Sequence, residues 1–134
     1  MTRVLLDSDT LSLFLKGKQP VKSNAYDYLA HQDGFTFSVI THFEILRGLK
    51  AKDAHVQIRK FREICEISDE IGLSPEIISI ATDIYSDLHK TGRIIGDADI
   101  LIAATALHLD IPVVTNNTKH FVRVADLRVV NWNE

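Results

Sequence analysis

Short, dense apolar runs alternate along this chain with longer segments of helical period, and that alternation predicts the fold. Residues 3–6 read as a short buried strand, after which Ser8 or Asp9 can cap a helix to about residue 15. Gly17-Lys18-Gln19-Pro20 ends that helix, and an amphipathic helix to about residue 29 follows. Residues 35–38 alternate as a second strand, 40–49 read as a helix, and 54–64 as a surface helix with Val56, Ile58 and Phe61 between charges. Residues 66–68 suggest a third strand. Ser74-Pro75-Glu76 opens a helix to about residue 89, which Thr91-Gly92-Arg93 breaks. Asp97 or Asp99 opens the next helix, apolar almost all round to residue 109 and therefore central; strands at 111–115 and 127–132 complete the pattern.

Short strands between longer helices imply an α/β fold, a mostly parallel sheet sandwiched between helices in three α/β/α layers. In such sheets the active crevice lies beyond the carboxyl ends of the strands. Asp7 and Thr115-Asn116-Asn117 both follow strands directly, which puts them on one rim.

At 134 residues, without repeats or a Pro/Gly/Ser linker, the chain reads as one domain over 1–134. The single cysteine, Cys65, rules out an internal disulfide framework and suits a reducing compartment. Asp7 interrupts the apolar start too early for a secretion signal, and no apolar run is long enough for a bilayer. A cytoplasmic protein is expected.

The net charge of −3 does not announce a polyanion binder, but its distribution does more. Five acids cluster in three places: Asp7 and Asp9, Glu44, and Asp97 and Asp99. Without them 13 acidic residues face 15 basic ones. Arg47, Lys50, Lys52, Arg59, Lys60 and Arg62 fall in one stretch, and Lys16, Lys18 and Lys22 in another. An acidic hollow rimmed by such bases fits a polyanion held over metal ions, although each lysine equally suits a solvated helix face.

Each of the five acids borders a strongly apolar segment, where burial normally excludes charge. Carboxylates converging there need relief from mutual repulsion, and a divalent cation supplies it; hard oxygen ligands suit Mg2+ or Mn2+. Plainer roles exist for each. Asp7 can cap the following helix, Glu44 can pair with Arg47, and Asp97 or Asp99 can favour a helix N-terminus. Other chemistries lack their residues. The six histidines show no His-Glu-x-x-His spacing and read as surface or packing residues, Cys65 has no CxxC companion, and neither a Gly-rich phosphate loop nor a nucleophile elbow is present.

Four ordered motifs carry a resemblance: Leu-Leu-Asp-Ser-Asp at 5–9, Ser-Val-Ile-Thr-x-x-Glu-Ile-Leu-Arg-Gly at 38–48, Ile-Gly-x-x-Asp-x-x-Ile-Ala-Ala at 95–104, and Val-Thr-Asn-Asn-Thr-Lys-His-Phe at 114–121. Together with Leu-Arg-Val-Val-Asn-Trp at 127–132 they resemble PIN domains, and more narrowly the VapC toxins of toxin–antitoxin pairs. The resemblance spans residues 4–132. It implies an Mg2+- or Mn2+-dependent ribonuclease, homodimeric, silenced by a VapB-like antitoxin in a larger assembly that reaches operator DNA only through the antitoxin. It places Asp7, Glu44 and Asp99 on the family's acidic triad, as catalytic residues and metal ligands, with Asp97, Thr115 and Asn117 in support. Arg47, Lys50 and Lys52 then become candidates for RNA contact, and structured RNA such as tRNA the favoured substrate. Asn117 stands where many relatives keep a fourth acid, Asp9 where asparagine is frequent, and Asp97 where a small residue or proline often stands.

Two rival readings remain at this stage. Asp7-Ser8-Asp9-Thr10 fits the DxDxT opening of haloacid-dehalogenase-like phosphatases, with Asp7 as nucleophile. That reading leaves Glu44 idle. The other rival is a PIN-like module that binds RNA or protein without turnover, against which the complete triad counts.

Overall fold

A computed structural model describes residues 2–134. Five short strands, β1 (Leu5–Leu6), β2 (Thr36–Ser38), β3 (Asp69–Ile71), β4 (Val113–Val114) and β5 (Val129–Val130), form one all-parallel sheet in the order β3-β2-β1-β4-β5. The helices between them are α1 (Ser8–Leu15), α2 (Val21–Leu29), α3 (Val39–Ala51), α4 (His55–Ile67), α5 (Pro75–Lys90), α6 (Asp97–Leu109) and α7 (Thr118–Phe121).

Alternation along the strands sorts the core into two faces. Leu5 and Val113 point to one side, where they join Ile77, Ala81 and Ile84 of α5 and Ile102 and Ala103 of α6. Leu6 and Val114 point to the other, with Leu11 of α1, Tyr28 of α2, Ile45 of α3 and Phe61 of α4. The pairing register agrees, since Leu5 aligns with Val113 and Leu6 with Val114. A slip by one residue would turn both pairs to the wrong layer. The three-layer α/β/α arrangement expected from the sequence is thus the one observed. On the second face Trp132 packs on Tyr28 and Phe35, and its carbonyl accepts from Asn24 Nδ2 at 2.7 Å.

Local departures have identifiable causes. The third strand begins at Asp69 rather than Glu66, because α4 keeps burying Ile64 and Cys65 against the second face and runs on to Ile67. Neither Ser8 nor Asp9 caps α1. Asp7 does, because it is the last extended residue after β1 and its carboxylate accepts from the Thr10 amide at 2.8 Å. Gly96, not an aspartate, is the N-cap of α6, so Asp97 and Asp99 both lie in its first turn. The short helix α7 was not anticipated from periodicity, four residues being too few to show one.

The approach of α4 to β2 leaves no room at Gly34. A Cβ there would lie 1.9 Å from the carbonyl oxygen of Ile67, just before the chain turns to pair Asp69 with Thr36. Gly34→Ala should therefore destabilise the fold by roughly 1–3 kcal/mol through a forced backbone shift. Urea unfolding checks this, and an unchanged midpoint would show that the contact relaxes freely.

Candidate active site at the topological switch point

β1 and β4 are neighbours in the sheet but far apart in sequence, and the strand order reverses between them. At such a point the loops leaving two adjacent strands diverge and open a crevice. Asp7 leaves β1 there and Thr115 leaves β4. Asp7 is 3 % exposed and Thr115 fully buried.

Burial raises the Asp7 carboxyl from its ordinary 3.8 to about 6; the Thr115 hydroxyl and the Thr10 amide, both donating to it, pull the value down, and the nearby Asp9 charge adds to the rise. None of the ion pairs among the described residues brings a lysine or arginine to Asp7. It is a nearly dry acid without a lysine or arginine partner among the described residues.

A run of polar contacts leads from Asp7 to Asp99. Thr115 donates to Asp7 and accepts the Asn117 amide on Oγ1 at 2.8 Å. Asn117 Nδ2 lies 2.7 Å from His120 Nδ1, which in turn lies 3.3 Å from Asp99 Oδ2. On the other side of Asp7, Ser8 donates to Glu44 Oε1 at 2.6 Å and stands 3.3 Å from Thr41 Oγ1. Glu44 Oε2 faces Arg47 Nη2 at 3.8 Å, a long contact with an exposed arginine that also lies over the Phe43 ring. Glu44 is thus held mainly by Ser8.

The structure links Asp7, Glu44 and Asp99 through this network rather than by direct carboxylate contact. Among the described residues only His42, Cys65 and Glu70 bring three metal-ligating atoms within 4.8 Å of one another. Thr115 and Asn117 lie within these contacts, Thr115 beside Asp7 and Asn117 beside His120. Asp97 does not. It is exposed, and it borders a shallow recess with Ile78, Ala81, Thr82 and Tyr85 between α5 and α6. Asp9 and Lys52 line an open hollow beside Glu44, together with Ser8, Ser12 and Lys16. Lys50 is exposed on α3 and lies outside that hollow.

Two participants escaped the sequence reading. His120 looked like a surface histidine because no ligand spacing marks it, yet α7 turns it onto Asp99. Ser8 looked like a cap, but its hydroxyl serves Glu44, 36 positions away. Only a signal of spatial contact, such as covariation, could have revealed either pair.

Residues 4–127 match the PIN domain family. The chain is 31% identical to ribonuclease VapC1 of Methanocaldococcus jannaschii, over 93% of this chain and 83% of that one. It is 26% identical to the tRNA(fMet)-specific endonuclease VapC of Shigella flexneri, over 99% and 100% of the two chains. Its fold superposes with a TM-score of 0.86 on a chain of VapBC2 from Rickettsia felis bound to a DNA fragment from its promoter, at 25% identity and covering 98% and 99%. These matches favour the nuclease reading of the Asp7-Ser8-Asp9-Thr10 segment over the phosphatase one. This chain belongs to the PIN-domain family, among the VapC ribonucleases.

Proposed function

We propose that this chain, a single PIN domain over 1–134, is a metal-dependent endoribonuclease toxin held in check by a VapB-like antitoxin. The observation that carries the reading is the buried, uncompensated Asp7 carboxylate at the switch point, linked to Asp99 on one side and flanked by Glu44 on the other. The tRNA specificity in the name of the Shigella flexneri relative supports structured RNA as the substrate class. The VapBC complexes among its structural neighbours, one of them bound to promoter DNA, support an antitoxin partner; in this reading the toxin is a homodimer and the antitoxin carries the DNA contact.

The donor set fits a hard divalent cation. Asp7, Asp99 and Glu44 offer only oxygen, and Asp7 is an acid whose ionisation the fold penalises until positive charge arrives. Mg2+ or Mn2+ held by few carboxylates keeps several waters in its shell. When bound, such an ion polarises the phosphate and lowers the pKa of a coordinated water.

The chain's own residues supply the rest. Asp7 and Asp99 would hold the ion, Asp7 oriented by Thr115 and Thr10, and Asp99 by His120. Glu44, fixed through Oε1 by Ser8, presents Oε2 to orient the attacking water and accept its proton. Lys16 and Lys52 line the hollow beside Glu44, where they hold backbone phosphates. Arg47 extends that basic rim.

Asp7→Asn, Asp99→Asn and Glu44→Gln, each isosteric and uncharged, should each lower Mg2+-dependent RNA cleavage by roughly two orders of magnitude or more. EDTA should silence the wild type, while Asp9→Asn, exposed and replaceable, should be mild. Wild-type rates in all three folded variants would refute the assignment. Co-expression with an adjacent antitoxin gene should restore growth to cells expressing the toxin.

Asp7 also predicts a pH-dependent stability. Its folded value of about 6 exceeds the unfolded one, so its contribution is fully present below the unfolded value and is lost as pH rises through 6. The shift amounts to roughly 3 kcal/mol, against the metal-free protein above pH 6. Asparagine keeps the cap without the charge. Metal-free Asp7→Asn should therefore melt on the order of 5–10 °C above wild type at pH 8, by less at pH 5. Adding Mg2+ or Mn2+ should close the gap by raising only the wild type. Equal melting temperatures of the metal-free proteins at pH 8 would contradict the argument.

A further inference from the structure

A second cluster of ligand atoms lies away from the switch point, at the β3 edge of the sheet. His42 of α3, Cys65 of α4 and Glu70 of β3 each place one ligand atom within 4.8 Å of the other two. They come from three elements and span 28 positions of sequence, so the fold assembles them. His42 Nδ1 already pairs with Glu70 Oε1. The imidazole is set edge-on against Phe61, ring centroids 5.2 Å apart at 88°, with Phe61 itself fully buried, which fixes the ring's tilt.

We infer that His42, Cys65 and Glu70 form a binding site for a thiophilic divalent cation of the zinc class, distinct from the oxygen-only site of the proposed nuclease. Nitrogen, sulfur and one carboxylate oxygen are a borderline-soft donor set that suits Zn2+ and disfavours Mg2+. Tetrahedral zinc with sulfur at about 2.3 Å and nitrogen or oxygen near 2.0–2.2 Å spaces its ligand atoms about 3.3–3.8 Å apart. The three ligand atoms of the cluster, all within 4.8 Å of one another, already lie near that spacing. Three protein ligands leave the fourth position to water.

Charge supports the assignment. Burial and the Glu70 carboxylate push the Cys65 thiol up, so the metal-free cysteine stays protonated and unreactive. A dication between sulfur and carboxylate removes that repulsion. On binding, the S–H bond breaks, its proton passes to solvent, and the sulfur lone pair bonds to the metal, with no change of oxidation state. The bound ion would cross-link α3, α4 and β3 two positions from Glu44, steadying the helix that presents it.

The chain has one cysteine, so a thiolate-to-cobalt charge-transfer band reports this site alone. Co2+ is titrated into the full-length protein with Mg2+ saturating, and Zn2+ is then added in competition. The expected result is a near-ultraviolet band saturating at one Co2+ per chain, displaced by Zn2+ and not by further Mg2+. Cys65→Ser should abolish the band while keeping RNA cleavage, and His42→Gln or Glu70→Gln should weaken Co2+ binding by roughly tenfold or more. Zn2+ should raise the melting temperature of the wild type and not that of Cys65→Ser. Absence of the band would overturn the proposal. So would a band of unchanged affinity in both His42→Gln and Glu70→Gln, which would reduce the site to a lone thiol. Should Cys65→Ser fail to fold, Glu70→Gln still decides, because Glu70 is exposed and glutamine can keep accepting from His42.

Discussion

A carboxylate held nearly out of water at the end of a central strand is the constraint around which this molecule is arranged. Asp7 occupies the carboxyl end of β1, beside β4, where the sheet order reverses. An isolated charge there costs several kcal/mol unless donors or a cation meet it. The chain supplies donors: Thr10 through its amide and Thr115 through its hydroxyl. It supplies no lysine or arginine among the described ion pairs of Asp7. The rest of the site is organised around that deficit. The Asp9 carboxylate adds to the burden rather than relieving it.

The same residue carries a structural duty. Asp7 caps α1, so the backbone geometry that ends β1 and begins α1 also fixes where the carboxylate points. The cap does not exhaust the carboxylate, because it has two oxygens and the Thr10 amide engages Oδ1. This double use explains how a short loop can position a reactive group without strain. The asymmetric support of the other two acids follows similar logic. Asp99 is steadied by a histidine on a four-residue helix, and Glu44 by a serine one position from Asp7.

The two-layer core makes these placements rigid. Strands of two residues bury little by themselves, and their register is secured by the helices on either face, through Leu5 and Val113 on one side and Leu6 and Val114 on the other. Misregister by one residue would exchange the layers and move Asp7 relative to Thr115. The edge at β3 is the least buried part of the sheet, and there the His42, Cys65 and Glu70 group lies.

By itself the sequence determined the fold class, the parallel sheet, the order of most elements and the three acidic positions, because these are written in local periodicity and in residue types that burial normally rejects. It also placed Asp7 and Thr115 on one rim, since both directly follow apolar runs. Element ends were less legible. Whether Asp7, Ser8 or Asp9 capped α1 depended on which residue was last extended, and whether α4 stopped at Ile64 or Ile67 depended on what the sheet buried beneath it. Tertiary structure alone decided the partnerships: Ser8 with Glu44, His120 with Asp99 and Asn117, and His42 with Cys65 and Glu70. It also turned Asp97 outward although it lies two positions from Asp99, because two positions rotate about 200° around a helix and put one residue towards α5 and the other towards α7. Such pairings join residues tens of positions apart through packing, and no local pattern in a single sequence encodes them.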